Sequence, residues 1–100
     1  MTETIVIRVE HPVPDYDAWK REAFDRDPLG RARSGVRRHR VLHRRGSPAL
    51  VSVDLEFDDR AAAEAFAAEL RDMWGRVRER FGWRELPEAE VFELVESQDY

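Results

Sequence analysis

The chain has 100 residues, with 17 basic and 21 acidic side chains and no cysteine. This length allows one compact domain, residues 1–100, and the lack of cysteine excludes disulfides, thiolate nucleophiles and thiolate metal sites. The N-terminal residues lack the pattern of a secretory signal, and no apolar run approaches the ~20 residues that span a bilayer. We therefore expect a cytoplasmic protein that does not associate with membranes.

Charge is unevenly divided along the chain. Residues 31–45, here called the basic strip, hold seven arginines and two histidines but no acid, a charge of +7. Residues 85–96, the acidic strip, hold five glutamates and no base. The basic strip has no aromatic residues for base stacking and the whole chain carries −4, and both features argue against nucleic-acid binding. A solvated or subunit-contacting strand edge is the better interpretation.

The first third of the chain predicts a strand and a helix. The β-branched run at 5–9 is typical of a strand, which ends at His11 and Pro12 because proline cannot continue a central ladder. Asp15 is placed to cap a helix that ends near Pro28. The predicted helix has one apolar stripe, formed by Tyr16, Trp19, Ala23 and Phe24.

The middle of the chain predicts an antiparallel hairpin. Residues 36–45 mix apolar side chains with bases and form strand two, and residues 46–48 form the reversal. Residues 50–57 alternate apolar and polar side chains and form strand three. The two strands therefore pair with each other.

The last part of the chain predicts a long helix and a final strand. Asp58 or Asp59 caps the helix, which either breaks at Gly75 or continues toward Gly82. Residues 90–96 form strand four. The apolar stripe of the helix advances by four, three and four residues through Phe66, Leu70, Met73 and Val77.

This order of elements predicts an α+β, ferredoxin-like βαββαβ fold. The four-stranded antiparallel sheet has both helices on one face and the strand order 4-1-3-2. Apolar residues on the uncovered face need a partner, and the edge strands carry the basic and the acidic strip. We expect a homodimer that packs sheet to sheet, with strand two of one copy beside strand four of the other. Charge then selects the register, while apolar burial supplies most of the affinity.

Several residues and motifs together resemble a known family: His11, Pro12, Val13, Asp15, Tyr16, Trp19, Gly35, Val36, the strand at 51–57, Asp58, Asp59 and Phe66. With these residues the chain resembles the dimeric α/β-barrel superfamily, most nearly its small bacterial antibiotic-biosynthesis-monooxygenase-like and stress-responsive members. The resemblance covers about 90 residues by order of elements. It implies a homodimer whose facing sheets enclose a cavity for a small apolar molecule. Haem-degrading relatives use an asparagine, and this chain has none.

The end of strand one carries one candidate site. His11 lies four positions before Asp15, and a histidine beside a carboxylate can act as an oriented base. Tyr16 and Trp19 would supply an aromatic wall for a ligand. The alternative is a strand-end histidine that is hydrogen-bonded to the loop. Trp74 is predicted to cap the cavity as a second catalytic residue.

Strand two carries further candidates. On a strand His39 and His43 are ~13 Å apart and cannot hold one metal ion together. They either line the cavity or belong to a charged edge that resists aggregation. Arg38 and Arg40 are candidates for binding a carboxylate or phosphate of a small ligand. The sequence has no glycine-rich phosphate loop or paired metal-ligand spacing, so we expect no cofactor and no metal.

The sequence supports two main hypotheses. In the first, a homodimer binds a small, partly aromatic molecule in its barrel cavity and performs cofactor-free monooxygenation or isomerisation. In the second, the dimer binds a ligand or serves as an accessory protein without catalysis. A third, less favoured hypothesis is that the basic strip binds anions or nucleic acid.

Overall fold

The structure, a computed structural model, describes residues 3–83 and 86–100. It is an α+β fold with a four-stranded antiparallel sheet and two helices, which confirms the predicted class and is compatible with a ferredoxin-like fold. Glu85, the first residue of the acidic strip, lies outside the described residues. The elements are β1 (Ile5–Pro12), α1 (Tyr16–Trp19) followed by a π-helical turn (Lys20–Phe24), β2 (Val36–Arg44), β3 (Ser47–Phe57), α2 (Arg60–Phe81) and β4 (Glu88–Glu93).

The sheet has the strand order β2-β3-β1-β4, so β2 and β4 are its edges. Val9 of β1 lies between Val53 and Ala89, and its neighbour Arg8 lies opposite Asp54. Because successive side chains of a strand point to opposite faces, Val9 and Arg8 mark the two sides of the sheet. We call the side of Val9 the inner face and the side of Arg8 the open face.

The inner face carries the core. Along β1 buried side chains alternate with more exposed ones, as expected for a strand with one covered face. Helix α2 packs on this face, and the ring centroids of Phe57 and Phe66 are 5.7 Å apart. Each fully buried large side chain contributes roughly 1.5–3 kcal/mol. The largest fully buried side chains are Phe57, Ile5, Ile7 and Val51.

The first helix is shorter and less regular than predicted. The α-helical part is Tyr16–Trp19, and the chain then widens into the π turn Lys20–Phe24. The N–H of Asp25 closes this turn by donating to the carbonyl five residues earlier, at 2.8 Å. The helical backbone ends with the π turn at Phe24, before Pro28, near which the end of the helix was predicted.

The second helix takes the longer of its two predicted forms. Asp59 is the N-cap, and its carboxylate accepts from the Ala61 N–H at 3.1 Å. The helix passes through Gly75 without a break and ends at Gly82, whose φ of 65° is left-handed. Neither helix in the described residues has the length and apolar character that a bilayer crossing requires.

Strand β4 begins and ends earlier than the predicted range 90–96. It occupies Glu88–Glu93 because it pairs with β1, whose first residue, Ile5, lies opposite Glu93. One further backbone hydrogen bond joins the Leu94 N–H to the Thr4 carbonyl at 2.9 Å. Beyond it, residues 95–100 are exposed and have no regular secondary structure.

Candidate functional site

A cavity of about 580 Å³ lies between the inner face of the sheet and the two helices. Small-molecule sites are typically apolar cavities of roughly 300–1,000 Å³ with a few placed polar groups. The cavity is therefore the candidate site. It lies beneath the helices of one chain, whereas the predicted barrel cavity lies between two sheets on the open-face side. Its largest apolar side chains are Trp19, Phe24, Phe66, Met73, Trp74 and Trp83.

The π turn shapes one side of this cavity. Trp19 and Phe24 are five residues apart, and their ring centroids are 5.2 Å apart. A regular α-helix would point residues five apart in directions about 140° from each other, whereas a π turn brings them together. Both rings thus face the cavity. The apolar stripe of α2 forms the other side through Phe66, Leu70, Met73 and Val77.

His11 is a buried polar side chain beside the cavity, only 8% exposed. Its ring meets that of Trp83 edge-on, with centroids 5.0 Å apart. Its Nδ1 atom has no hydrogen-bond partner among the described residues. Asp15, the predicted partner, is the N-cap of α1 and accepts from the Ala18 N–H at 3.1 Å. His11 thus carries an unpaired polar atom next to an apolar cavity.

Burial sets the charge state of His11. It lowers the pKa of His11 below the ordinary value near 6.5, so that the imidazole is neutral at pH 7. A neutral imidazole has one N–H donor and one acceptor nitrogen. A buried polar atom without a partner costs about 1–3 kcal/mol. A ligand group that pairs with His11 would recover this energy.

The eight predicted site residues fall into three groups. Tyr16 and His43 pack ring to ring at 4.3 Å, and His39 packs on Phe24 at 5.1 Å, outside the cavity lining that the structure describes. Both histidines are exposed on the edge strand. No group of three or more His, Asp or Glu side chains in residues 3–83 and 86–100 is arranged to hold a metal ion. The group that lines the cavity is His11, Trp19 and Trp74.

The third group, Arg38 and Arg40, lies on the open face. Arg38 lies 3.7 Å from the carboxylate of Glu56, and Arg40 is in register with Asp54. Arg8 donates two hydrogen bonds to Asp54, at 2.7 and 2.8 Å. These bonds hold the pKa of the Asp54 carboxyl below its usual range. The sheet therefore separates the predicted anion-binding arginines from the cavity.

The arginines that line the cavity were not predicted as cavity residues from the sequence. Arg26 and Arg31 follow the π turn, and Arg80 lies near the end of α2. Only Arg80 had a sequence signal, since it follows Val77 of the apolar stripe by three residues and so shares its side of the helix. Arg26 lies in a segment without periodicity, and no pattern marks it. Arg31 begins the basic strip, but nothing in that pattern distinguishes it as a cavity residue.

Comparison of the chain with protein-family models, with curated proteins and with solved structures finds no match. The resemblance to the dimeric α/β-barrel superfamily therefore stays a prediction. The cavity and the unpaired atom of His11 are features of this chain's own geometry. They locate a candidate binding site on an α+β fold.

Proposed function

We propose that this protein binds a small, largely apolar and partly aromatic molecule in the cavity between its helices and its sheet. One observation carries the proposal: the apolar cavity of about 580 Å³ adjoins a buried polar atom, His11 Nδ1, that has no partner among the described residues. A core that serves stability alone is close-packed, and its buried polar atoms are paired.

Aromatic side chains favour an aromatic ligand. Trp19, Phe24 and Trp74 line the cavity, and Trp74 is only 7% exposed. Edge-to-face or offset ring contacts contribute roughly 0.5–1.5 kcal/mol beyond the burial of area. A planar aromatic molecule would gain this energy from several rings at once, whereas an aliphatic molecule of the same size would gain burial alone.

The proposal includes a homodimer that forms through the open face. Apolar side chains remain about half exposed there, with Phe92 at 46% and Leu94 at 45%. One row across the sheet alternates in charge through Arg40, Asp54, Arg8 and Glu90. A two-fold axis parallel to the strands reverses this row in the second copy, so that each base faces an acid. A second copy of this chain is therefore the occupant that the charge pattern fits.

The binding proposal is tested with a neutral aromatic probe, 2-naphthalenemethanol. The probe is titrated into the protein while tryptophan fluorescence is recorded, because Trp19, Trp74 and Trp83 line the cavity. Ala23→Phe adds a ring to the lining and should weaken binding at least tenfold, or about 1.4 kcal/mol.

Ala68→Phe is the matched control, since Ala68 is exposed on α2 outside the cavity lining that the structure describes. It should bind the probe like the wild-type protein. Circular dichroism checks that both variants fold. Equal binding by the wild type and folded Ala23→Phe would contradict the proposed location, and no binding by the wild type would contradict the proposed function.

A further inference from the structure

Two exposed arginines, Arg26 and Arg80, line the cavity. Within residues 3–83 and 86–100, neither side chain forms an ion pair. They come from different parts of the chain, since Arg26 follows the π turn and Arg80 belongs to the last turns of α2. Because they are both exposed and in the lining, they stand where the cavity meets solvent.

The third arginine of the lining, Arg31, already contacts other groups of the protein. Its guanidinium donates to the Phe24 carbonyl at 3.0 Å and lies 3.9 Å from the centre of the Phe24 ring. It also lies 3.6 Å from the carboxylate of Asp27. Arg31 therefore braces the aromatic side of the cavity, and its charge is partly balanced within the protein.

The acids of the cavity lining are also engaged. Asp15 caps α1, Asp27 accepts from the Arg31 N–H at 2.9 Å, and Glu22 lies 3.7 Å from Arg21. Asp15, like Arg26 and Arg80, forms no ion pair within the described residues, but its carboxylate is engaged as the N-cap of α1, whereas the described residues give the two arginines no such contact. An anionic group that enters the cavity would therefore find two arginines without an ion pair, while the acids of the lining already have contacts within the protein.

Resting on the proposed function, we infer that the ligand is an aromatic carboxylate, with its ring system in the cavity and its carboxylate at Arg26 and Arg80. A guanidinium presents two parallel N–H donors that match the two oxygens of a carboxylate. The buried, unpaired Nδ1 of His11 independently indicates that the cavity is built to hold a molecule with polar groups. A ligand with an aromatic body, a carboxylate at the two arginines and a further polar group within reach of His11 matches both polar parts of the cavity.

The test compares three probes with the same ring system and different charge: 2-naphthoate, 2-naphthalenemethanol and (2-naphthylmethyl)ammonium. Titration calorimetry at pH 7.5 and low salt should give about tenfold tighter binding of the carboxylate than of the alcohol, and the weakest binding for the ammonium. The preference should shrink as salt is raised, because the arginines are exposed.

The double variant Arg26→Gln/Arg80→Gln should lose the preference for the carboxylate and bind the neutral alcohol like the wild type. Arg33→Gln is the matched control, since Arg33 is exposed and lies outside the cavity lining given by the described residues. It should keep the preference.

The outcomes separate this inference from the proposal on which it rests. Equal affinity of the wild type for the carboxylate and the alcohol would overturn the inference and leave the binding function standing. A preference that survives in the double variant would overturn the assignment to Arg26 and Arg80. Failure of all three probes to bind would overturn the inference and the proposed function together.

Discussion

The imidazole of His11 is buried against Trp83, and its Nδ1 atom lacks a partner among the described residues. The folded protein therefore bears the cost of a lost hydrogen bond with solvent. Such a cost is retained where a polar atom serves binding, because a ligand can restore the bond that folding removed. Stability and binding should consequently respond in opposite directions when this atom is removed.

We predict that His11→Phe stabilises the protein and weakens ligand binding. Phenylalanine keeps the ring beside Trp83 and removes the unpaired nitrogen, which should raise the free energy of unfolding by about 1 kcal/mol. For a chain of this size the melting temperature rises by roughly 4–8 °C. His43→Phe, on the exposed edge, should leave probe binding unchanged. A less stable His11→Phe variant with undiminished binding would show that His11 is a packing residue only.

We predict that the folded protein loses stability as the pH falls below about 6.5. Burial lowers the pKa of His11, and burial together with the nearby Arg31 and Lys20 lowers the pKa of His39. Between the unfolded and folded pKa values the unfolded chain binds more protons, so the free energy of unfolding decreases as pH decreases. Above that window both states are neutral and this dependence disappears.

Urea denaturation at a series of pH values measures this effect. The variant His11→Phe should show a shallower loss of stability between pH 6.5 and 5 than the wild type, because one of the two titrating groups is gone. Asp54 affects stability at lower pH than the histidines do. The hydrogen bonds from Arg8 lower the pKa of Asp54, so its contribution to stability is lost as the pH falls through that lowered value. Equal slopes for His11→Phe and the wild type would contradict the assignment to His11.

In helix α2, replacing glycine by alanine is expected to have opposite effects on stability at two positions. Gly75 is exposed inside the helix and a Cβ there meets nothing within 4 Å, while Gly82 ends the helix at φ +65°. Gly75→Ala should raise the free energy of unfolding by roughly 0.5–1 kcal/mol, because alanine loses less backbone entropy. Gly82→Ala should lower it by about 1 kcal/mol, because a Cβ strains the left-handed conformation.

Chemical denaturation of the two glycine variants measures the difference, and each serves as the control for the other. A destabilised Gly75→Ala variant would contradict an open, regular helical position at Gly75. A stabilised Gly82→Ala variant would mean that the chain reaches past this position as continuous helix.

The pattern of the strands was predictable from local sequence. Val51, Val53, Leu55 and Phe57 alternate with polar residues, and all four are buried. Any strand with one covered face shows alternation with a period of two, and this pattern does not depend on which element covers that face. The π turn was not predictable, because the stripe of Tyr16, Trp19, Ala23 and Phe24 fits a regular helix equally well.

At the scale of the whole molecule, the proposed homodimer depends on opposite charges meeting across the open faces. We predict that Glu90→Arg weakens the dimer several-fold, since it places a base where Arg40 of a second copy would approach. Sedimentation or light scattering at several protein concentrations measures the change. Phe92→Asp should weaken the dimer more strongly, because apolar burial supplies most of the affinity.

A charge swap provides the control. Glu90→Arg combined with Arg40→Glu restores an acid opposite each base, so the double variant should dimerise more tightly than Glu90→Arg alone. No recovery in the double variant would contradict the proposed register. A wild-type protein that stays monomeric at micromolar concentration would contradict the dimer itself.

Local patterns were enough for the fold class, for the cap Asp15, and for the division of strand residues between two faces, because these depend on neighbours along the chain. They left the second cap open between Asp58 and Asp59, and the structure selects Asp59. The cavity depended on how distant segments meet. An apolar stripe that fills a core and one that lines a cavity have the same periodicity, so Phe66 and Trp74 look alike in either case. His11 was already a candidate from its position before Asp15, but only the tertiary structure leaves its buried Nδ1 without a partner among the described residues, because Asp15 is engaged in capping α1.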